Sequence, residues 1–148
     1  MSIKFSLATK AVCTALFFLL LAGVSARAAE ADLKLEAQLV AGSNDLQTNG
    51  APVSPQIEKK LKRLPLKWQH YFVVNSQQFS VAKNEAKDVS LSDACQISVK
   101  NLGGQQVQLT LMGNGKNVGK IKQSLKKGQM LVAGGNAGND IVVLRQMD

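Results

Sequence analysis

The stretch Met112-Gly-Asn-Gly-Lys-Asn-Val-Gly-Lys120 has the composition of a phosphate cradle. A nucleotide loop of that kind needs G-x-x-x-x-G-K followed by Ser or Thr, so that backbone N–H groups surround the phosphates and a hydroxyl holds magnesium. Counted back from Gly119-Lys120, the first glycine would have to stand where Asn114 is, and Ile121 replaces the hydroxyl residue. Gly113, Gly115 and Gly119 also miss the G-x-G-x-x-G dinucleotide spacing by one residue. Alternating apolar segments flank the stretch, so Asn114-Gly115 reads as a two-residue type I′ hairpin turn, in which both central residues take positive φ. No nucleotide is expected here. Gly134-Gly-Asn-Ala-Gly-Asn-Asp140 similarly misses a calcium repeat by one residue and occurs once, whereas such repeats share ions between stacked copies. Asn136, Asn139 and Asp140 could offer oxygens to a hard cation, but turn composition predicts a connection between two strands.

Acid–base and nucleophilic chemistry has few candidates. His70 is the single histidine, and it alternates with Trp68 and Phe72 on an apolar face. A packed, hydrogen-bonded side chain is expected there, since one imidazole without nearby Cys or carboxylate partners makes no zinc site. Cys95 runs in phase with Ile97 and Val99, as a buried and inert thiol would. A hydrolase would need Cys95 against His70, or two carboxylates across a cleft. The acids Glu30, Asp32, Glu36, Asp45, Glu58, Glu85, Asp88, Asp93, Asp140 and Asp148 fall mostly in loops or on solvent phases. The expectation is therefore no enzyme, no catalytic residue, no metal and no cofactor.

Positive charge is the stronger signal. Lys59, Lys60, Lys62, Arg63 and Lys67 place five cations within nine residues. On a helix whose buried stripe is Ile57, Leu61 and Leu64, the helical cations point away from the core. Late cations also favour the helix dipole, which by itself explains a solvated face. As a site, the same face suits phosphate or sulfate groups, acidic polysaccharide, anionic lipid heads, nucleic acid or an acidic patch on a protein. Tyr71 is the aromatic expected to be exposed beside it and able to stack on a sugar or base, because Trp68 is in phase with the core.

The elements that would carry these residues follow from periodicity. Leu33, Leu35, Ala37 and Leu39 alternate with polar residues, as in a half-buried strand. A loop of turn residues follows, sharpest at Asn49-Gly50. Ser54 then caps a helix with Pro55 at its first position, predicted to run from about 55 to 64 and to end at Pro65. From Leu66 the period becomes two, with a turn expected near Asn75-Ser76 and Phe79 and Val81 on a further short strand. Cys95 to Val99, Val107 to Leu111, Val118 to Leu125, Met130 to Val132 and Ile141 to Leu144 continue the pattern. The prediction is a mainly β fold, an antiparallel sandwich or small barrel of about six to eight strands. One short helix is inserted near the N-terminus, after the first strand.

Residues 1–28 read as a cleaved export signal. Lys4 and Lys10 precede the apolar run Ala11 to Val24, and Ala26-Arg27-Ala28 gives the small-residue cleavage pattern. Val24 stands where a lipoprotein would carry its lipidated cysteine, so a soluble product is expected, periplasmic or secreted and without a transmembrane span. Residues 29–148 would form a single domain. Loss of Lys4, Lys10 and Arg27 lowers the formal charge from +8 to +5. Cys13 leaves with the signal, so Cys95 has no intrachain disulfide partner.

Four segments, "LEAQLVAGSND" (35–45), "LKWQHYFVVN" (66–75), "ISVKNLGGQQVQLTLMGNGK" (97–116) and "LKKGQMLVAGGNAGND" (125–140), resemble small exported bacterial proteins of unknown function. The resemblance implies export and a single β-domain, and it brings no activity with it. The reading that results is a non-catalytic binding or accessory component of the cell envelope, with an envelope protein or an anionic polymer as partner. A small hydrolase is the remaining alternative.

Overall fold

The computed structural model describes residues 31–46, 50–134 and 139–147. The export-signal segment 1–28 lies outside them, as do Asn49 and Asn136. Nine strands and one helix follow in the order β1 (Leu33–Ser43), β2 (Ala51–Pro52), α1 (Pro55–Lys62), β3 (His70–Val81), β4 (Ala86–Ser90), β5 (Cys95–Gly103), β6 (Gln106–Gly113), β7 (Lys116–Ser124), β8 (Met130–Gly134) and β9 (Asp140–Gln146). They build a five-stranded sheet, β2-β3-β1-β9-β8, and a four-stranded sheet, β4-β5-β6-β7, antiparallel throughout. Neither closes into a barrel; the fold is a β-sandwich.

Between the sheets, Leu35, Ala37, Leu39, Val142, Leu144 and Leu131 of one meet Ile97, Val99, Val107 and Leu109 of the other. This is the alternation of the sequence made physical, since the pleat sends every second side chain to one face. Two hairpins turn through paired residues of positive φ. Asn114 and Gly115 take φ of 50° and 74°, the left-handed pair of the predicted I′ turn. Gly104 and Gln105, both with positive φ, connect β5 to β6.

Four expectations are corrected. The strands number nine, and the helix at Pro55–Lys62 lies well inside the chain instead of near its N-terminus. It also stops before Leu64, because Pro65 disfavours a helical conformation in the residue ahead of it. The turn near Asn75-Ser76 is absent: β3 runs unbroken from His70 to Val81. Its irregularity is a bulge, where Leu39 and Val40 pair with Asn75 and Val73 and leave Val74 over, 52% exposed. One extra residue reverses the phase of what precedes it. Phe79 and Val81 therefore face the intersheet core, whereas Tyr71 and Val73 face the other side of the sheet.

That other side is where the helix lies. Ile57 and Leu61, both fully buried, pack with Val40, Val53, Tyr71, Ile141 and Val143, flanked by Trp68, Met130 and Val132. The helix covers the outer face of the five-stranded sheet and does not interrupt it. Ser54 Oγ accepts from the Ile57 N–H at 3.4 Å, and Pro55 occupies the first turn, as the sequence indicates.

Gly42 shows how tightly the surrounding loop is held. A Cβ there would lie 2.4 Å from Cδ2 of Trp68, so the indole rests directly on the β1 backbone. Gly42→Ala is expected to cost about 1–3 kcal/mol through overpacking. Because Trp68 is the single tryptophan, its fluorescence spectrum should shift in the folded variant; an unchanged spectrum and melting temperature would contradict this packing.

The part of the outer face beyond the helix is polar. Glu36, 6% exposed, accepts from Arg145 Nε, from Ser76 Oγ at 3.1 Å and from Gln38 Nε2 at 3.3 Å. Burial pushes the carboxyl up, but the hydrogen bonds from Arg145, Gln38 and Ser76 outweigh it and hold the pKa below the ordinary 4.5. A depressed folded pKa stabilises the protein above the unfolded value, and that stability is lost as pH falls through the folded one. Glu36→Gln should thus cost about 1–3 kcal/mol at neutral pH. The gap from wild type should close as pH drops below 4.5, which urea midpoints across that range would check.

Candidate functional site

The cations of α1 do not all serve one place. Lys59, Lys60 and Arg63 line a groove of about 480 Å3 together with Gln56, Gln123, Gly128, Gln129 and Met130. One wall is the helix; the other is the end of β7 and the turn into β8. Met130 belongs to both the groove and the apolar cluster under α1, so packing of the helix fixes the spacing of the walls. The turn itself is set by Gly128 at φ 79° and by the Gln129 side chain, whose Oε1 accepts the Lys126 N–H at 3.1 Å.

Lys62 is engaged elsewhere, 2.6 Å from Glu58 one turn earlier, in an exposed pair. Such pairs contribute only about 0–1 kcal/mol, and Lys62 lines no part of the groove. Lys67 is exposed beyond the helix and lines no part of the groove. The expectation for Tyr71 is overturned: it is 4% exposed, and its hydroxyl donates to the Trp68 carbonyl at 3.1 Å. Burial pushes the phenol pKa up, against the opposing charge of Lys62. The bulge in β3 turns this ring under α1, so it offers no surface for stacking.

Sequence reasoning missed the second wall. A signal for it was present: from Ala94 to Asn139 the chain has six lysines and no acidic residue. Lys126 and Lys127 of that stretch immediately precede Gly128, although none of the six lysines lines the groove itself. With Lys59, Lys60 and Arg63 across from amide side chains, the groove can accept several anionic oxygens, Arg63 doing so through a planar fork. The long, flexible cations suit a repeating anion better than one closely fitted small molecule.

The thiol candidate fares differently. Cys95 begins β5 and Gly113 pairs with it, whereas His70 begins β3 and pairs with Ser43. They stand in different sheets, and no hydrogen bond joins them. Burial, then the negative charge of Asp140, pushes the Cys95 pKa up. A thiol held protonated in this way is a weak nucleophile. Asn139 of the last connection is tied to β1: its Nδ2 donates to the Gly42 carbonyl at 3.1 Å and its own carbonyl accepts the Gly42 N–H at 2.8 Å. Among the described residues, no three of His, Cys, Asp and Glu converge as metal ligands, and no helix is long and apolar enough to cross a membrane.

Comparison with family models, characterised proteins and solved structures finds no match to this chain.

Proposed function

We propose that this protein is a non-catalytic binding domain of the cell envelope that holds an anionic polymer in the groove between α1 and the β7–β8 turn. One observation carries the reading: Lys59, Lys60 and Arg63 share a groove with Gln123 and Gln129, from a part of the chain that has lysines and no acids. Export, inferred from residues 1–28, would place the domain among acidic polysaccharides and lipid headgroups. The raised pKa of Cys95 and its separation from His70 favour binding over covalent chemistry.

The test is retention of the purified chain on a sulfated-polysaccharide column across a salt gradient, because binding that releases counterions weakens steeply as salt rises. Elution well above the salt that releases a control protein of equal net charge supports the groove. Elution with the control would leave the charge as solvation alone and overturn the proposal.

A further inference from the structure

The long edge of the four-stranded sheet is open. Strand β7 is nine residues long and pairs only with β6 among the described strands, so one row of its N–H and C=O groups faces outward. Beneath it lies a second concavity, of about 450 Å3, lined by Cys95, Leu109, Leu111, Val118, Ile121 and Ala133 with Asp140 at its rim. Val118 is 62% exposed and Ile121 36%, so the sandwich is not closed along this side. At the other end of β7, Leu125 is fully buried and the sheets do meet.

The register of β7 against β6 says what would fit. Ile121 pairs with Leu109 and Gly119 with Leu111, which puts both on the inner, groove side. Lys120 pairs with Thr110 and Lys122 with Gln108, which puts them on the outer, solvent side. Nothing lies within 4 Å of a Cβ built on Gly119, so that position has room for a neighbour's large side chain.

We propose that β7 takes up an extended segment of a partner protein as an added strand. Its side chains would be acidic beside Lys120 and Lys122, apolar beside Ile121, and large and apolar beside Gly119. Main-chain hydrogen bonds to an edge give such a complex its affinity, and alternate side chains give it specificity. A second copy of this chain is the wrong occupant, because two β7 edges would set lysine beside lysine, and like charges directly opposite are unfavourable. The same lysines guard the edge against self-pairing while attracting a carboxylate-bearing strand. This surface is separate from the groove under α1 and does not rest on it.

The experiment is a titration of the full chain into a fluorescent peptide with Glu-Val-Glu-Phe at its centre, followed by anisotropy. The wild type is expected to bind. Lys120→Glu with Lys122→Glu should weaken binding roughly tenfold, from two cross-strand pairs turned from attraction to repulsion, and a Lys-Val-Lys-Phe peptide should recover it. Both changes are exposed, and circular dichroism would confirm the fold. N-methylation of the peptide backbone should abolish binding, whereas Lys59→Glu with Lys60→Glu should leave it within about twofold. Three results would overturn the proposal. They are no binding by the wild type, equal binding of the N-methylated peptide (which would make the groove an apolar ligand site), or self-association of the chain that Lys120→Glu with Lys122→Glu alters.

Discussion

Reversing Lys59, Lys60 and Arg63 to glutamate should reduce affinity for a sulfated polysaccharide at least a hundredfold. Each cation near an anionic surface contributes about 1 kcal/mol, so merely losing three amounts to roughly two decades. Reversal adds repulsion to that loss. The dependence of affinity on salt should flatten as well, by about one unit of log–log slope per cation removed, because fewer counterions are released. Lys62→Glu is the internal comparison. Its ammonium is spent on Glu58 and lines no part of the groove, so its change should be several-fold smaller. If all four single reversals weaken binding equally, net charge and not the groove is responsible.

Leu61→Ala should cost about 2–5 kcal/mol, the range for emptying a fully buried leucine position. The effect is not confined to stability. A helix of eight residues cannot hold itself together in water, so α1 persists through Ile57 and Leu61 on the outer face of the five-stranded sheet. Loosening that contact removes one wall of the groove without altering any charge. Denaturant midpoints would register the first effect. Column retention at a temperature where the variant is still folded would register the second. Unchanged retention with reduced stability would show that the cations act without a defined wall opposite them.

Much of the frame was legible because the pleat leaves a period of two in the sequence. Leu33 to Leu39, Ile97 with Val99, and Val107 with Leu109 lie where alternation puts them. The Ser54 cap, Pro55 and the Asn114-Gly115 turn were equally readable, because each depends on a local conformation that few residue types adopt. Tyr71 was misread for a reason just as physical. The bulge at Val74, which has no sequence mark, puts Tyr71 on the outer sheet face, and α1 covers that face, so a side chain there is buried and not exposed. No local rule says that one long strand will absorb an extra residue instead of breaking at Asn75-Ser76.

The sequence alone therefore determined the mainly β class with sandwich and barrel both open, the helix with its basic face, the Asn114-Gly115 hairpin and the failure of the glycine stretch to be a phosphate loop. These depend on interactions within a few residues or on a simple period. Tertiary structure alone decided that the helix covers the outer sheet face, that Tyr71 is buried beneath it, and that Lys59, Lys60 and Arg63 stand across from Gln123 and Gln129. Those residues are distant in the chain, and only the packing of Ile57, Leu61 and Met130 into one apolar cluster brings them together.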